Sequence, residues 1–186
     1  MVEVSDEEQS WITRSRKGDQ QAFEALVLRY QKMIFALAYR MTGSQADAED
    51  LTQDSFIAAF HQLDSFRGDS KFSSWLYRIA TNRCLNWRER NTRRERAYEN
   101  WGYERRISSP TEQDPNTVSE QVQQALLKLD DKQRAAIVLT TYEGMNHAEA
   151  ARALGCSETT VSWRIFAARA KLKKWLAPRA EGGARE

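Results

Sequence analysis

The chain has 186 residues, of which 41% are hydrophobic and 29% are charged, and its net charge is +2. This composition is typical of a soluble globular protein, and the length suits one medium domain or two small ones. No apolar run approaches the ~20 residues that a membrane span needs. The first eleven residues are acidic and lack the apolar core of a signal peptide. We therefore expect a cytoplasmic protein.

Glycine and proline are scarce, with 8 and 3 residues, which favours long helices over a turn-rich sheet protein. Cys84 and Cys156 lie far apart without paired spacing, so we expect buried free thiols in a reducing compartment. His61 and His147 are the only histidines, and no Cys/His cluster has the spacing of a zinc site. The sequence predicts an all-α protein without a metal or another cofactor.

The first long element is predicted between Phe23 and Met41, where apolar residues recur at helical spacing. Gly43 stops this helix, and Ser44 can cap the next one. From residue 44 to residue 66 the chain holds five acids and no Lys or Arg. The charge pattern alone leaves two interpretations open for this acidic face, which are a solvated surface and a surface that binds a protein partner.

A third helix, predicted over residues 71–90, mixes aromatic residues with arginine. Phe72 and Trp75 fall on its apolar side, so we expect both in the core. Tyr77 and Trp87 fall elsewhere with the arginines. Rings of this kind can stack on unpaired bases while cations hold the phosphates, so this side of the helix suits single-stranded nucleic acid.

The next stretch, residues 83–106, carries eight Arg against four Glu, which favours a polyanionic partner. Pro110 and Pro115 then break helical structure within a Ser/Pro/Asp-rich segment. We interpret residues 98–117 as a flexible linker between two small helical domains. The predicted domains span residues 19–97 and 118–177.

The second domain ends in a predicted helix-turn-helix. Asn146 and Glu149 form a capping-box pattern, Gly155 ends that helix, and Ser157 caps the next one. From residue 157 to residue 180 there are six Lys or Arg against one acid. A capped basic helix after a tight glycine turn is suited to a DNA major groove. An ordinary helical hairpin with a solvated charged face is the alternative.

Three motifs now stand in a defined order: DAEDLTQDSFIAAF (47–60), FRGDSKFSSWLYRIATN (66–82) and the helix-turn-helix. Together they resemble a bacterial RNA polymerase sigma factor of the extracytoplasmic-function (ECF) branch, in its two-domain form, over about residues 19–177. The resemblance implies a protein that is not an enzyme, binds core RNA polymerase and directs transcription from specific promoters. The first domain would dock on the polymerase and open the −10 element, and the second would read the −35 element. An anti-sigma factor is a further partner that the resemblance implies.

The same resemblance implies roles for individual residues. Docking on the clamp coiled coil of the polymerase is implied for Asp47, Glu49, Asp50, Leu51, Gln53 and Asp54. Melting the promoter and capturing a flipped base of the −10 element is implied for Arg67, Asp69, Ser70, Tyr77, Arg78, Asn82 and Arg83. Contact with the groove and phosphates of the −35 element is implied for Ser157, Thr159, Thr160, Ser162, Trp163, Arg164 and Arg169.

The sequence departs from the family pattern at two positions of the second helix. Trp163 stands where many members have a small polar residue, and Ala167 where many have an arginine. Loss of that cation could weaken the −35 contact or shift its sequence choice. Trp163 could pack against DNA or could shield the domain core, and the sequence leaves both open.

Two other functions also remain open. A stand-alone helix-turn-helix regulator would bind a palindromic site without polymerase, but it would leave the Arg/aromatic third helix unexplained. An enzyme could hold a metal on the acids of residues 47–54, but no histidine or glycine-rich phosphate loop accompanies them.

Overall fold

The computed structural model describes residues 6–100 and 117–177, and the regular secondary structure in these ranges is helical. A 3-10 turn spans Leu63–Ser65, and a π-helical turn spans Val138–Tyr142. The all-α prediction is therefore confirmed. The helices, in chain order, are α1 Asp6–Arg16, α2 Gln20–Thr42, α3 Gln45–His61, α4 Phe72–Asn100, α5 Val118–Leu127, α6 Asp131–Ile137, α7 His147–Leu154 and α8 Glu158–Leu176.

The helix boundaries follow from local capping chemistry. The Asp19 side chain accepts a hydrogen bond from the backbone of Ala22 at 3.1 Å and so begins α2. Gly43 ends α2 with φ of 74°, a conformation that costs glycine little. The Ser44 hydroxyl then accepts from the backbone N–H of Asp47 at 3.3 Å and begins α3, as predicted.

The amino-terminal domain consists of α1 to α4, with α2 packed against the other three helices. Its core is built from apolar side chains on α2 and α4, such as Ile34, Met41 and Leu76, which are fully buried. Phe72 and Trp75 lie in the same core with ring centroids 5.4 Å apart, as predicted. Burial of these side chains from water is the main force that holds the four helices together.

The carboxyl-terminal domain consists of α5 to α8 around a smaller core that includes Leu126, Leu139 and Val161. Arg134 on α6 is fully buried inside it. The Arg134 guanidinium donates to the carbonyls of Leu126 and Leu129, at 2.8 and 3.0 Å, and so pairs groups at the end of α5. Burial lowers the pKa of Arg134 to about 10.

The connecting segment differs from its prediction at one end. Helix α4 continues to Asn100, ten residues beyond the predicted helix, because arginine and glutamate are good helix formers. Residues 101–116, which make up most of the predicted linker, lie outside the described residues, as does the tail after residue 177.

The two domains pack against each other. Helix α4 lies against α6 and α7, and α2 lies against α5 and the π-helical turn. Within residues 6–100 and 117–177, no helix combines the length and the apolar character that crossing a bilayer requires.

Candidate polymerase and nucleic-acid interfaces

The helix-turn-helix has the predicted caps and turn. The Asn146 side chain accepts from the backbone of Glu149 at 2.9 Å, and the Glu149 carboxylate accepts in return from the backbone of Asn146 at 2.9 Å. Gly155 has φ of 60°, and the Ser157 hydroxyl accepts from the backbone of Thr160 at 3.2 Å. These bonds fix the start of α8, which is the helix that a major groove would receive.

The buried stripe of α8 is Val161, Ile165 and Ala168, and the predicted −35 residues lie at the start of the helix and around the rest of its surface. Part of this set is already engaged within the protein: Arg164 donates to the Cys156 sulfur at 3.4 Å, and the Ser162 hydroxyl donates to the carbonyl of Glu158 at 3.0 Å. The exposed members are Ser157, Thr159, Ser162, Trp163 and Arg169, and the half-buried members are Thr160 and Arg164.

Trp163 is 64% exposed, so it does not shield the domain core. Phe166, one helical turn further on, is 75% exposed. Phe166 was not among the predicted −35 residues, although its position outside the apolar stripe at residues 161, 165 and 168 signals exposure. Two large exposed apolar side chains on one helix face indicate a surface that meets another molecule.

Four of the seven predicted −10 residues line a cleft of about 400 Å³ between the two domains. Helix α7 supplies the opposite wall with Glu149 and Arg152. Asn82 and Arg83 lie further along α4 and are exposed, and Arg83 lines a separate cleft beside α3. The members of the set that line the first cleft are Arg67, Asp69, Ser70 and Arg78.

Tyr77 departs from its prediction, because the side that was expected to meet nucleic acid is covered. The ring is only 4% exposed, and its hydroxyl donates to the Glu143 carboxylate in the carboxyl-terminal domain. Arg40 lies 3.3 Å from the other oxygen of Glu143. Burial raises the pKa of the Glu143 carboxyl and also that of the Tyr77 hydroxyl.

The acidic face of α3 is mostly open to solvent. Leu51 is the exception, since it is 5% exposed and belongs to the core. In this arrangement its side chain holds α3 in place, and its contact with a partner stays a prediction. The exposed members of the set are Glu49, Asp50, Gln53 and Asp54, and Asp47 is half-buried.

An apolar groove of about 940 Å³ runs between α2 and α3 beside this acidic face. Ile57 and Phe60 on its α3 wall are 49% and 41% exposed. Phe60 meets Phe23 of α2 edge to face, with ring centroids 5.0 Å apart. The sequence did not predict the groove, although Ile57 lies one turn after Gln53 and so falls on the acidic face.

The remaining candidates for chemistry are few. Across the described residues, no group of three or more His, Cys, Asp or Glu could hold a metal ion. Cys84 is buried, and burial raises the pKa of its thiol to about 12, which makes it unreactive.

These features define a two-domain helical protein that presents one surface to a protein partner and others to DNA. The family model of Sigma-70 region 2 matches residues 26–94, and that of Sigma-70 region 4 matches residues 119–172. The chain is 36% identical over 185 residues to the ECF RNA polymerase sigma-E factor of Escherichia coli. The matched region covers 92% of this chain and 95% of that protein. It is 33% identical over 186 residues to the RNA polymerase sigma-H factor of Pseudomonas aeruginosa, with 94% and 96% covered.

Solved structures agree with this relationship. The sigma factor RpoE from Bartonella quintana, in complex with the anti-sigma factor NepR, has a TM-score of 0.68 at 27% identity over 84% of this chain and 98% of that chain. CnrH, in complex with the cytosolic domain of CnrY, has a TM-score of 0.65 at 35% identity over 92% and 97%.

The chain therefore belongs to the sigma-70 family, in its extracytoplasmic-function branch. It binds core RNA polymerase and directs promoter-specific initiation of transcription. As a sigma factor it is not itself an enzyme, and a stand-alone helix-turn-helix regulator is not favoured.

Proposed function

We propose that the surfaces described above divide the work of initiation between the two domains. Residues 19–97 dock on core RNA polymerase and open the −10 element, residues 118–177 read the −35 element, and residues 98–117 link them. The observation that carries this proposal is the exposed apolar groove with an acidic border between α2 and α3. Such a groove suits a helical partner with apolar anchors and basic flanks.

The docking surface combines two kinds of contact. Ile57 and Phe60 supply apolar area that a partner helix can cover, and covering it removes exposed apolar surface from water. Glu49 and Asp50, exposed on the same helix, supply negative charge that attracts a basic partner and fixes its orientation. Leu51 supports this surface from the core side.

The −10 surface is the cleft around the loop before α4. Arg67 and Arg78 are cations in the lining of the cleft that can hold phosphates. Asp69 and Ser70 supply polar oxygens that can pair with the edge of an extruded base. Asn82 and Arg83 continue the polar track along α4. Tyr77 joins this surface when the domains separate.

The −35 surface is the exposed face of α8. Thr159 lies in the first turn, where free backbone N–H groups favour a phosphate. Arg169 is an exposed cation suited to a second phosphate. Trp163 and Phe166 present apolar area suited to the methyl groups of thymine, so we propose that this factor reads its −35 element partly by apolar contact.

We further propose that the chain works in the cytoplasm, where core polymerase and promoter DNA are found, and that an anti-sigma factor regulates it. The latter proposal is supported by the relative from Bartonella quintana, which was solved with its anti-sigma factor.

The experiment that tests the docking surface is co-elution of the purified chain with bacterial core RNA polymerase. The wild type is expected to co-elute, and a Glu49→Lys/Asp50→Lys variant is expected to be lost from the complex, because it reverses the charge of the two exposed acids on α3 that the proposal assigns to the docking surface. A Glu24→Lys variant, which changes an exposed acid of α2 outside the groove, serves as the matched control.

If the wild type fails to bind core polymerase, the proposed function is wrong. If the double variant binds as tightly as the wild type, the docking surface lies elsewhere.

A further inference from the structure

We infer that Arg16, in the last turn of α1, is a positioning residue for the −10 element, because it fixes the backbone at the start of the loop between the 3-10 turn and α4. This loop, residues 66–71, carries Arg67, Asp69 and Ser70. The contacts of Arg16 are properties of the structure itself. Their meaning for transcription rests on the proposed function, which assigns the −10 element to this loop.

The side chains that the proposed function gives to the −10 element stand on a short exposed loop. Arg67 and Asp69 are exposed, and a Cβ on Gly68 between them would meet no other atom within 4 Å. A loop with few neighbours has little of its own to fix its direction. Its side chains can meet an extruded base in one geometry if the backbone beside them is held from outside the loop.

Arg16 holds the start of this loop. Its Nε atom donates to the carbonyl of Leu63 at 3.3 Å, and its Nη2 atom donates to the carbonyl of Phe66. The Phe66 carbonyl is part of the planar peptide group that leads into Arg67, so the guanidinium fixes the plane from which the loop continues. A planar guanidinium with directed donors suits this task better than a single ammonium group would.

The Phe66 side chain extends the same contact to α4. Its ring is 4% exposed and lies 5.9 Å from the central carbon of the Arg16 guanidinium. The ring also packs against Phe72 and Trp75 of α4, with centroids 5.4 Å apart in each pair. Arg78, which lines the −10 cleft, follows Trp75 by about one turn. The loop therefore leaves from a position that α1 and the aromatic start of α4 fix together.

Helix α1 is itself held against the domain, which limits the freedom of Arg16. Ile12 is fully buried in the core, and the Glu8 carboxylate accepts from the Tyr30 hydroxyl of α2 at 2.5 Å. Helix α1 precedes residues 26–94, which match the model of Sigma-70 region 2, so that match gives it no role. The contacts described above give it one.

A direct contact with DNA is the other role open to an arginine at the surface. A cation that neutralises a phosphate adds about one unit to the slope of log affinity against log salt concentration. The guanidinium of Arg16, however, already gives N–H groups to the carbonyls of Leu63 and Phe66. A residue that acts through the loop leaves the salt slope unchanged, so the slope distinguishes the two roles.

The experiment measures how tightly the holoenzyme, which is core polymerase with this chain bound, binds a labelled promoter by fluorescence anisotropy. The promoter is premelted over the −10 element, so the cost of opening the strands does not enter. Single abasic positions through the element first identify the base whose loss weakens wild-type binding most. Arg16→Met is then compared with the wild type on the intact and on the abasic promoter.

Lys17→Met, which removes the charge of the neighbouring exposed residue, is the matched control. Arg16→Lys is a second test variant, because it keeps the charge and the aliphatic stem but lacks the planar pair of donors. Circular dichroism checks that all the proteins keep the same helical content, and the affinity of each for core polymerase is measured separately.

On the intact promoter, Arg16→Met is expected to bind about tenfold more weakly than the wild type, the scale of a lost charged hydrogen bond. On the abasic promoter the two are expected to bind within about twofold of each other, because the loop then has no base to hold. The salt slope and the affinity for core polymerase are expected to stay the same. Lys17→Met is expected to bind both promoters like the wild type.

The Arg16→Lys variant is expected to lose part of the affinity in the same base-dependent way, and it carries the test if Arg16→Met loses helical content. An equal loss on the intact and the abasic promoter, no loss on either, or a salt slope lowered by about one unit would overturn the inference.

Failure of the proposed function has a different signature. In that case the wild type does not bind core polymerase, or no abasic position in the −10 element weakens its binding. The inference about Arg16 would then fall with the function on which it rests.

Discussion

The two partner-facing sides of the amino-terminal domain are in opposite states. The groove between α2 and α3 is open, with Ile57 and Phe60 partly exposed, whereas the side of α4 that carries Tyr77 is covered by the carboxyl-terminal domain. The groove is therefore free to meet another molecule, whereas the Tyr77 side of α4 is occupied by a contact within the chain.

The two surfaces also differ in their chemistry. The groove is apolar, and an apolar surface remains unfavourable in water until a partner covers it. The covered side of α4 is joined instead by a few charged and polar contacts, centred on Glu143. Such contacts depend on the geometry of their donors and acceptors, whereas the burial of apolar surface does not.

The largest expected effect comes from Arg134→Met, which keeps a long unbranched side chain but removes the guanidinium that donates to both domains. Carbonyls at the end of α5 and of α2 would lose their partner. We expect the free energy of unfolding to fall by about 3 kcal/mol. Urea denaturation followed by circular dichroism measures this change.

Arg93→Met on α4 is the control for this prediction. Arg93 is exposed and pairs only with Glu89 among the ion pairs described for it, so a loss of about 0.5 kcal/mol or less is expected. Equal losses in the two variants would show that the hydrogen bonds of Arg134 to α5 and α2 do not stabilise the fold more than a surface ion pair does.

The next effect is on polymerase affinity. Ile57→Asp places a charge in the apolar groove, and we expect at least about tenfold weaker binding to core polymerase, equivalent to about 1.4 kcal/mol. Because Ile57 is partly exposed, the fold should persist. The control is Leu28→Asp, which changes an exposed apolar residue of α2 that lies outside the groove. This variant should bind core polymerase like the wild type. Fluorescence anisotropy with labelled protein measures both, and equal affinities would place the docking surface elsewhere.

The smallest effect concerns −35 recognition. If Trp163 contacts a thymine methyl group, replacing that thymine with uracil should weaken promoter binding by the wild-type holoenzyme about fourfold, because one buried methyl group contributes about 0.8 kcal/mol. The Trp163→Ser holoenzyme should bind both DNAs equally. A uracil effect of the same size in both proteins would assign the methyl contact to another residue, with Phe166 the first to be tested.

Much of the fold could be predicted from the sequence, because its signals are local. Ser44, Asn146 and Ser157 cap the helices that follow them, and Gly155 takes the left-handed conformation expected at the end of α7. These features depend on residues within one helical turn, which the sequence shows directly. Helix α4 ran longer than predicted because no glycine or proline stops it before residue 100.

The site was less predictable, because its missing parts depend on packing between distant residues. Tyr77 and Glu143 are 66 positions apart, and the pattern around Tyr77 does not show which helix covers it. Leu51 was assigned to a partner contact with its acidic neighbours, although the core takes it. The groove was missed for the same reason, since it needs Phe23 of α2 beside Phe60 of α3.

The most direct test of the central claim is binding of a fluorescent promoter duplex by the free chain and by the holoenzyme, under one salt concentration. The duplex is chosen by run-off transcription with the holoenzyme. We predict specific binding with core polymerase and no specific binding by the free wild type. Tight, specific promoter binding by the free wild type would contradict the account.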